Sequence, residues 1–413
     1  LKGEWDGRVQ LFKQSKSGRS WYFPSGLLSK VTGVLDIFGV TYTVQKTPDQ
    51  DYDPQGFEWV SPLSLRNYQV DAVKAIFDAK GGVVSLPTGG GKTLVALRLI
   101  QMFDRPTIIL VHTKELLYQW KDEIKKHIGV DAGLVGDGIR EWKVVTVAML
   151  QTLGAMIRSG DLQRLEFGML LIDETHRISA DVAYSIAMRC TARIRVGVSA
   201  TPRRTDNRDL KIFAATGPLA CNLTPCDLIK AGYLARPKLT LISVGGSPAY
   251  FSQDWQKEYV AHIVTNDERN ARIVDETVRL VREEKQVYIH VERINHLDLI
   301  YNLLVKEIGP QKIGRIWGKT KTGDRQKMLK RFESGSLNVL IGTILKEGVN
   351  LPAMDAVVLA GGLSSPVALV QKVGRALRRN ERFDYAEIID FVDNCGRFCK
   401  KHSELRYQAF MEY

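Results

Sequence analysis

The residues at 86–93, Leu-Pro-Thr-Gly-Gly-Gly-Lys-Thr, place three glycines ahead of a lysine and a hydroxyl. That order suits a polyphosphate. Gly89, Gly90 and Gly91 let the backbone approach a ligand closely, and successive N–H groups at a helix start can face an anion. Lys92 adds charge at the outer phosphates, and the Thr93 hydroxyl can hold Mg²⁺. A second candidate is LLIDETHRI, in which Asp173 and Glu174 leave an apolar run. Adjacent strand residues point to opposite faces, so Asp173 can serve the metal while Glu174 orients or deprotonates water. Read alone, the acidic pair could equally cap a following helix. A third is GRALRR, where Arg375 and Arg378 either stabilise charge on a transferred phosphoryl group or form a solvated basic helix face.

These side chains need elements to hold them. Between Trp59 and about Ala235, apolar runs alternate with amphipathic segments: GGVVSL, PTIILVHT, WKVVTVAML, FGMLLIDET and IRVGVSATP as strands, ELLYQWKDEIKKH as a helix. A second set follows: KQVYIHVE, KIGRIWGK, LNVLIGTI, MDAVVLAGG and AEIIDFVD. Apolar strands separated by helices imply parallel sheets covered on both faces, with ligands at the strands' carboxyl ends. The expected fold is α/β: two tandem parallel-sheet lobes, 59–235 and 236–413, after a small β-rich accessory region at 1–58. The last stretch, GRFCKKHSELRYQAFMEY, reads as a polar helix. Because the chain begins at Leu1 rather than Met, the accessory region is taken as N-terminally truncated.

Composition narrows the function. Lys and Arg outnumber Asp and Glu by 58 to 46 among 413 residues, a net charge of +12. This favours a polyanionic partner. No stretch approaches the roughly 18–20 apolar residues of a membrane span. The five cysteines form no dense framework, as in a reducing compartment. Cys395, Cys399 and His402 lack a nearby fourth ligand, so no metal is expected there.

In order, LRNYQ (65–69), LPTGGGKT (86–93), DETH (173–176), SATP (199–202), GTILKEGVNLP (342–352) and QKVGRALRR (371–379) resemble the motifs of superfamily 2 helicases. The likeness covers 63–380. It accounts for Leu86, because an L-P-x-G-x-G-K loop marks the branch of XPB-type and UvsW-type helicases. The two lobes are then RecA-like, with ATP and Mg²⁺ as cofactors. The resemblance implies that Gln69 reads adenine beside Arg66 and Tyr68, with Pro87, Thr88 and the glycines around the phosphates. It places Gly348 and Asn350 near ATP too, although many relatives carry Asp where Asn350 stands. His176, Ser199 and Thr201 would couple ATP state to movement, and Gln371, Arg375 and Arg378 would act from the second lobe. Nucleic-acid contacts would come from Thr113, Lys114, Thr146 and Gln151 on the first lobe, and from His290, Arg293, Lys319 and Thr343 on the second. Arg203 and Arg204 in TPRRTDNRD either contact DNA or are solvated. WDGRVQLF, FPSGLL and FGVTYTV resemble the leading domain of UvsW-type phage recombination helicases, where Arg8 and Arg19 would meet DNA. Trp5, Trp21 and Tyr22 either offer aromatic surface to a duplex or junction or form the core of a small sheet, core being the favoured reading for Trp21.

The resemblance implies an ATP-dependent DNA helicase that remodels branched DNA by branch migration, fork regression and D-loop or R-loop unwinding. Its polarity would be 3′→5′, acting as a monomer in the cytoplasm, that of the host if phage-encoded. XPB-like repair, RNA unwinding, a restriction-system motor and an inactive nucleic-acid scaffold are the alternatives.

Overall fold

The computed structural model of the protein describes residues 10–45, 52–175, 180–200, 209–245, 253–343, 354–362, 383 and 385–411. The chain divides into two compact units, Leu1–Pro87 with Gly91–Thr224, and Pro225–Tyr413 with Thr88–Gly90.

At the start lie two short antiparallel strands, β1 (Lys13–Gln14) and β2 (Trp21–Tyr22), then a helix, α1 (Leu28–Ile37). Leu11 and Leu27 are buried with Ala214, and Phe23, Val31 and Phe213 pack around them. At Gly26 a Cβ would run into the carbonyl of Phe213, so backbone meets backbone there. Trp21 corrects the sequence reading: it is 61% exposed. Two-residue strands have no second layer to cover a side chain, and the anchoring is done by Leu11 and Leu27 instead.

The rest of the first unit surrounds an eight-stranded sheet. Its strands are β3 (Gly81–Ser85), β4 (Thr107–Val111), β5 (Gly133–Gly136), β6 (Ile139–Arg140), β7 (Val145–Met149), β8 (Met169–Asp173), β9 (Ile194–Ser199) and β10 (Leu219–Asn222). Their order is β10-β3-β9-β8-β4-β7-β5-β6, parallel throughout except for β5–β6. TIILV and MLLID are buried along their whole length, as strands covered on both faces must be. The helices that matter for the site are α2 (Asn67–Ala79), α3 (Lys92–Phe103) and α4 (Lys114–Ile128). Leu116, Leu117, Trp120, Ile124 and Ile128 of α4 are buried at helical spacing, which seats it on the sheet.

The second unit carries a six-stranded parallel sheet of β11 (Arg236–Val244), β12 (Val287–His290), β13 (Ile313–Ile316), β14 (Val339–Gly342), β15 (Ala356–Leu359) and β16 (Tyr385–Asp393), ordered β11-β16-β15-β12-β14-β13. Buried ion pairs hold its helices to β16. Arg269 donates to Asp393 at 2.8 Å and to the Ala360 carbonyl at 2.7 Å, and Arg406 donates to Asp390 at 2.8 Å. The terminal helix Arg397–Met411 starts on the buried Glu258 carboxylate, which accepts from the amides of Arg397, Phe398 and Cys399.

His296 is wholly buried, with Nε2 3.0 Å from Asn270 Oδ1. Burial, helped by the Arg269 charge, pushes its pKa down to about 3. The native state therefore refuses a proton that the unfolded chain accepts below about 6.5. Stability contributed by the neutral ring is complete above that value and falls as pH drops toward 3, by about 1.4 kcal/mol per pH unit. His296→Gln should flatten this part of the profile. Urea unfolding of both proteins from pH 7 to 4.5 checks it, and equal slopes would contradict it.

Candidate functional site

The glycine loop leaves β3 at Ser85 and enters α3 at Lys92. Leu86 is fully buried and its N–H donates to the Ser199 carbonyl at 3.0 Å. The missing first glycine is thus a core position that continues the β3–β9 pairing, in which Ser85 is opposite Ser199. Gly89 and Gly91 hold φ of 85° and 74°, a left-handed backbone that favours glycine. Gly91 is the N-cap of α3, and a Cβ on it would strike the side-chain amide of Gln69. Gln69 is itself buried, and its Oε1 accepts from the Arg66 N–H at 2.9 Å. Arg66 is exposed, whereas Tyr68 belongs to the core.

Lys92 Nζ donates to the Leu86 carbonyl at 3.3 Å and lies 3.7 Å from Glu174 Oε1. Asp173 closes β8 in register with Val198 of β9. Its carboxylate is buried, and Oδ2 accepts from the Trp120 indole N–H at 2.7 Å. Burial first, and the Glu174 charge second, hold the Asp173 carboxyl well above the usual carboxylate range. The two acids diverge because the strand ends: Glu174 takes φ of 49°, so a turn rather than the pleat separates them.

An ammonium, a hydroxyl, hard carboxylate oxygens and a loop whose Gly89 and Gly91 take a left-handed backbone are the groups that a nucleoside triphosphate with Mg²⁺ requires. The residues fit. Gln371, Arg375, Arg378, Gly348, Asn350, His176, Thr201, Arg203, Arg204 and Arg8 lie outside the described residues.

On the expected nucleic-acid surface of the first unit, Thr113 is the N-cap of α4, its hydroxyl accepting from Leu116 N–H at 3.2 Å. Lys114 is 58% exposed and pairs with Asp137 at 2.6 Å, and the Tyr118 hydroxyl donates to the same carboxylate at 2.8 Å. Gln151 donates to the His112 carbonyl at 2.9 Å. Thr146 does not belong with them. It is fully buried, and its hydroxyl donates to the Lys143 carbonyl at 2.7 Å while accepting from the Lys143 N–H. Thr146 lies in β7, so its hydroxyl is consumed in fixing the strand entry.

In the second unit His290 is likewise buried, the last residue of β12, with Nε2 3.0 Å from Glu292. It orients Glu292 and offers no surface. Arg293 stacks over the Tyr259 ring at 5.0 Å and donates to Gln256. Lys319 is exposed, and Thr343 follows β14 with its N–H on the Ile316 carbonyl. Arg19 is exposed beside β2. Sequence reasoning missed Trp120 and Asp137. A tryptophan at helical spacing reads as packing, and an aspartate before glycine reads as a turn.

Residues 62–204 match the family described as Type III restriction enzyme, res subunit, and 269–380 match the Helicase conserved C-terminal domain. The DNA 3′-5′ translocase XPB2 of Sulfurisphaera tokodaii is 26% identical over 355 residues, 78% of this chain and 80% of that protein. The ATP-dependent DNA helicase uvsW of Enterobacteria phage T4 is 22% identical over 95% of this chain and 83% of its own length. For several other curated relatives the chain spans only about half of their length. In fold, the chain is similar to the DUF1998 helicase MrfA, solved bound to DNA and AMPPNP, with a TM-score of 0.63 and 17% identity over 84% of this chain and 50% of that one.

Gly91→Ala forces a methyl against the Gln69 amide and a side chain into a left-handed backbone. A cost of about 1–2 kcal/mol at the loop corresponds to roughly tenfold weaker nucleotide binding. Titration with a fluorescent ATP analogue, with circular dichroism to confirm folding, tests this. Unchanged affinity would mean that the loop does not carry the nucleotide.

Proposed function

This chain belongs to the superfamily 2 DNA helicases, ATP-dependent enzymes, and from that premise we propose that it uses ATP hydrolysis to remodel branched DNA. The observation that carries the ATP half is the gathering of the glycine loop, Lys92, Asp173 and Glu174 at the carboxyl ends of β3 and β8. In this reading the backbone N–H groups at the start of α3 bind the phosphates, and Lys92 neutralises their charge. Thr93 and Asp173 would hold Mg²⁺, which when bound offsets charge on the phosphate oxygens. Glu174, on its turn beside Lys92, positions the attacking water and takes its proton. Gln69, against Gly91, monitors the base. Gln371, Arg375 and Arg378 are assigned the guanidinium and amide contribution of the second lobe, and Gly348 and Asn350 a contact to ATP. His176, Ser199 and Thr201 transmit the nucleotide state.

The DNA half rests on charge and on relatives. A net charge of +12 suits a phosphate backbone. Thr113, Lys114 and Gln151, with Arg293, Lys319 and Thr343, supply hydroxyl, amide and basic groups that can track it without reading sequence. Arg203, Arg204, Arg8 and Arg19 are assigned further contacts to the same backbone. Branch remodelling, 3′→5′ movement and action as a monomer follow the UvsW-type and XPB-type likeness. No described helix is long and apolar enough to cross a membrane.

Glu174→Gln should lower DNA-stimulated turnover by on the order of 100-fold or more and leave ATP binding within about threefold. Phosphate release and analogue titration read the two. Undiminished turnover would contradict the hydrolytic role. Substrate class is decided by ATPase and unwinding on forks, four-way junctions, linear duplex and RNA, with forks and junctions expected to stimulate most. Equal activity on linear duplex would remove the branch preference alone.

A further inference from the structure

Helix α4 connects two parts of the first unit that the proposed function treats separately. It starts at Thr113 and Lys114, on the surface assigned to the nucleic-acid backbone. Seven residues on, two turns or about 10 Å along the axis, Trp120 is 2% exposed and its indole N–H donates to Asp173 Oδ2 at 2.7 Å. A hydrogen bond to a buried carboxylate is among the stronger neutral-donor contacts, and an indole can only donate. It therefore selects one carboxylate oxygen and one rotamer, leaving Oδ1 for a cation.

The two ends of this connection differ in freedom. Asp173's backbone is locked in the β8–β9 ladder. Trp120 lies on the same buried face of α4 as Leu117 and Ile124, and burial at that spacing ties its side chain to the position of the helix. The start of α4 is where a shift can enter. Lys114 is held there by an exposed carboxylate, Asp137, which also takes the Tyr118 hydroxyl one turn along. Gln151 grips the His112 carbonyl just ahead of the helix. A phosphate arriving at Thr113 and Lys114 competes with Asp137 for the ammonium, a surface pair of small intrinsic strength, and so can readjust the first turn of α4.

We infer that Trp120 is a positioning residue that couples nucleic-acid binding at the start of α4 to the orientation of the Asp173 carboxylate. This rests on the reading of Asp173 as the Mg²⁺-holding group. The consequence is that DNA raises turnover partly by setting where Oδ1 points, through one rigid helix.

The test uses the full chain labelled with 5-fluorotryptophan, the Trp120 ¹⁹F resonance being assigned by its loss in Trp120→Phe. In the unsubstituted protein that resonance should move on adding Mg²⁺ with a non-hydrolysable ATP analogue. It should also move, independently, on adding oligothymidylate, and the second movement should vanish in Lys114→Ala. In turnover assays Trp120→Phe should cut the ratio of DNA-stimulated to DNA-free rate at least fivefold, with oligothymidylate affinity within about twofold. Trp120→His, which keeps a ring N–H donor, should recover part of the ratio. A merely structural tryptophan would show no DNA-dependent ¹⁹F shift, and that result overturns the inference whatever the variants' stability. An unchanged stimulation ratio in folded Trp120→Phe also overturns it. If the nucleotide leaves the resonance unmoved and Asp173→Asn retains turnover, the metal-holding assignment itself has failed. If instead the nucleotide moves the resonance, Asp173→Asn abolishes turnover and only oligothymidylate is without effect, the coupling alone is wrong.

Discussion

A carboxylate withdrawn from water must be given partners or it takes a proton. Asp173 is such a group: it closes a fully buried strand, and burial together with Glu174 favours its protonated form. The arrangement around it answers that constraint. Trp120 supplies a hydrogen bond from below, and Lys92 supplies positive charge near Glu174. The glycine loop comes close because Gln69 occupies the volume a side chain at Gly91 would need. Desolvation leaves this carboxylate poorly compensated by the protein alone, so positive charge brought near it would be attracted.

The same problem is solved differently in the second unit. Asp390, within β16, and Asp393, at its end, are also buried acids, but each meets an arginine from a helix of the second unit. Such pairs are costly to break from one side and so hold Arg269 and Arg406, with their helices, to a fixed place on the sheet. Glu258 likewise is spent on the amides that open the terminal helix. Paired acids anchor structure. Asp173, which has no arginine partner among the described residues, is followed by Glu174, which faces Lys92 of the glycine loop.

Much of this was legible from residue order. Every apolar run read as a strand between 81 and 199 is one, because a strand buried on both faces has no polar alternation to obscure it. Leu86 was legible as a lineage mark and is also a core residue. The edge strands β6 and β10 were not read, since half-exposed short strands carry little pattern. Trp21, Thr146 and His290 were assigned the wrong side of the surface. One residue's type says nothing about whether a second layer covers it, and a threonine or histidine near a motif serves packing as readily as binding.

By itself the sequence determined the chemistry available: a glycine-rich loop of the kind that can wrap a phosphate, a lysine, a hydroxyl and two adjacent acids in an α/β chain of two units. Those depend on local spacing and on hydrophobic period, both carried within a few residues. Only the tertiary structure decided which oxygen of Asp173 is held and by what, that Gly91 must be glycine because Gln69 lies against it, and that α4 runs from the expected nucleic-acid surface to the site. These are contacts between residues far apart in the chain, 53 positions in the case of Trp120 and Asp173. They exist because the order of parallel strands, not the order of residues, brings the ends of β4 and β8 side by side.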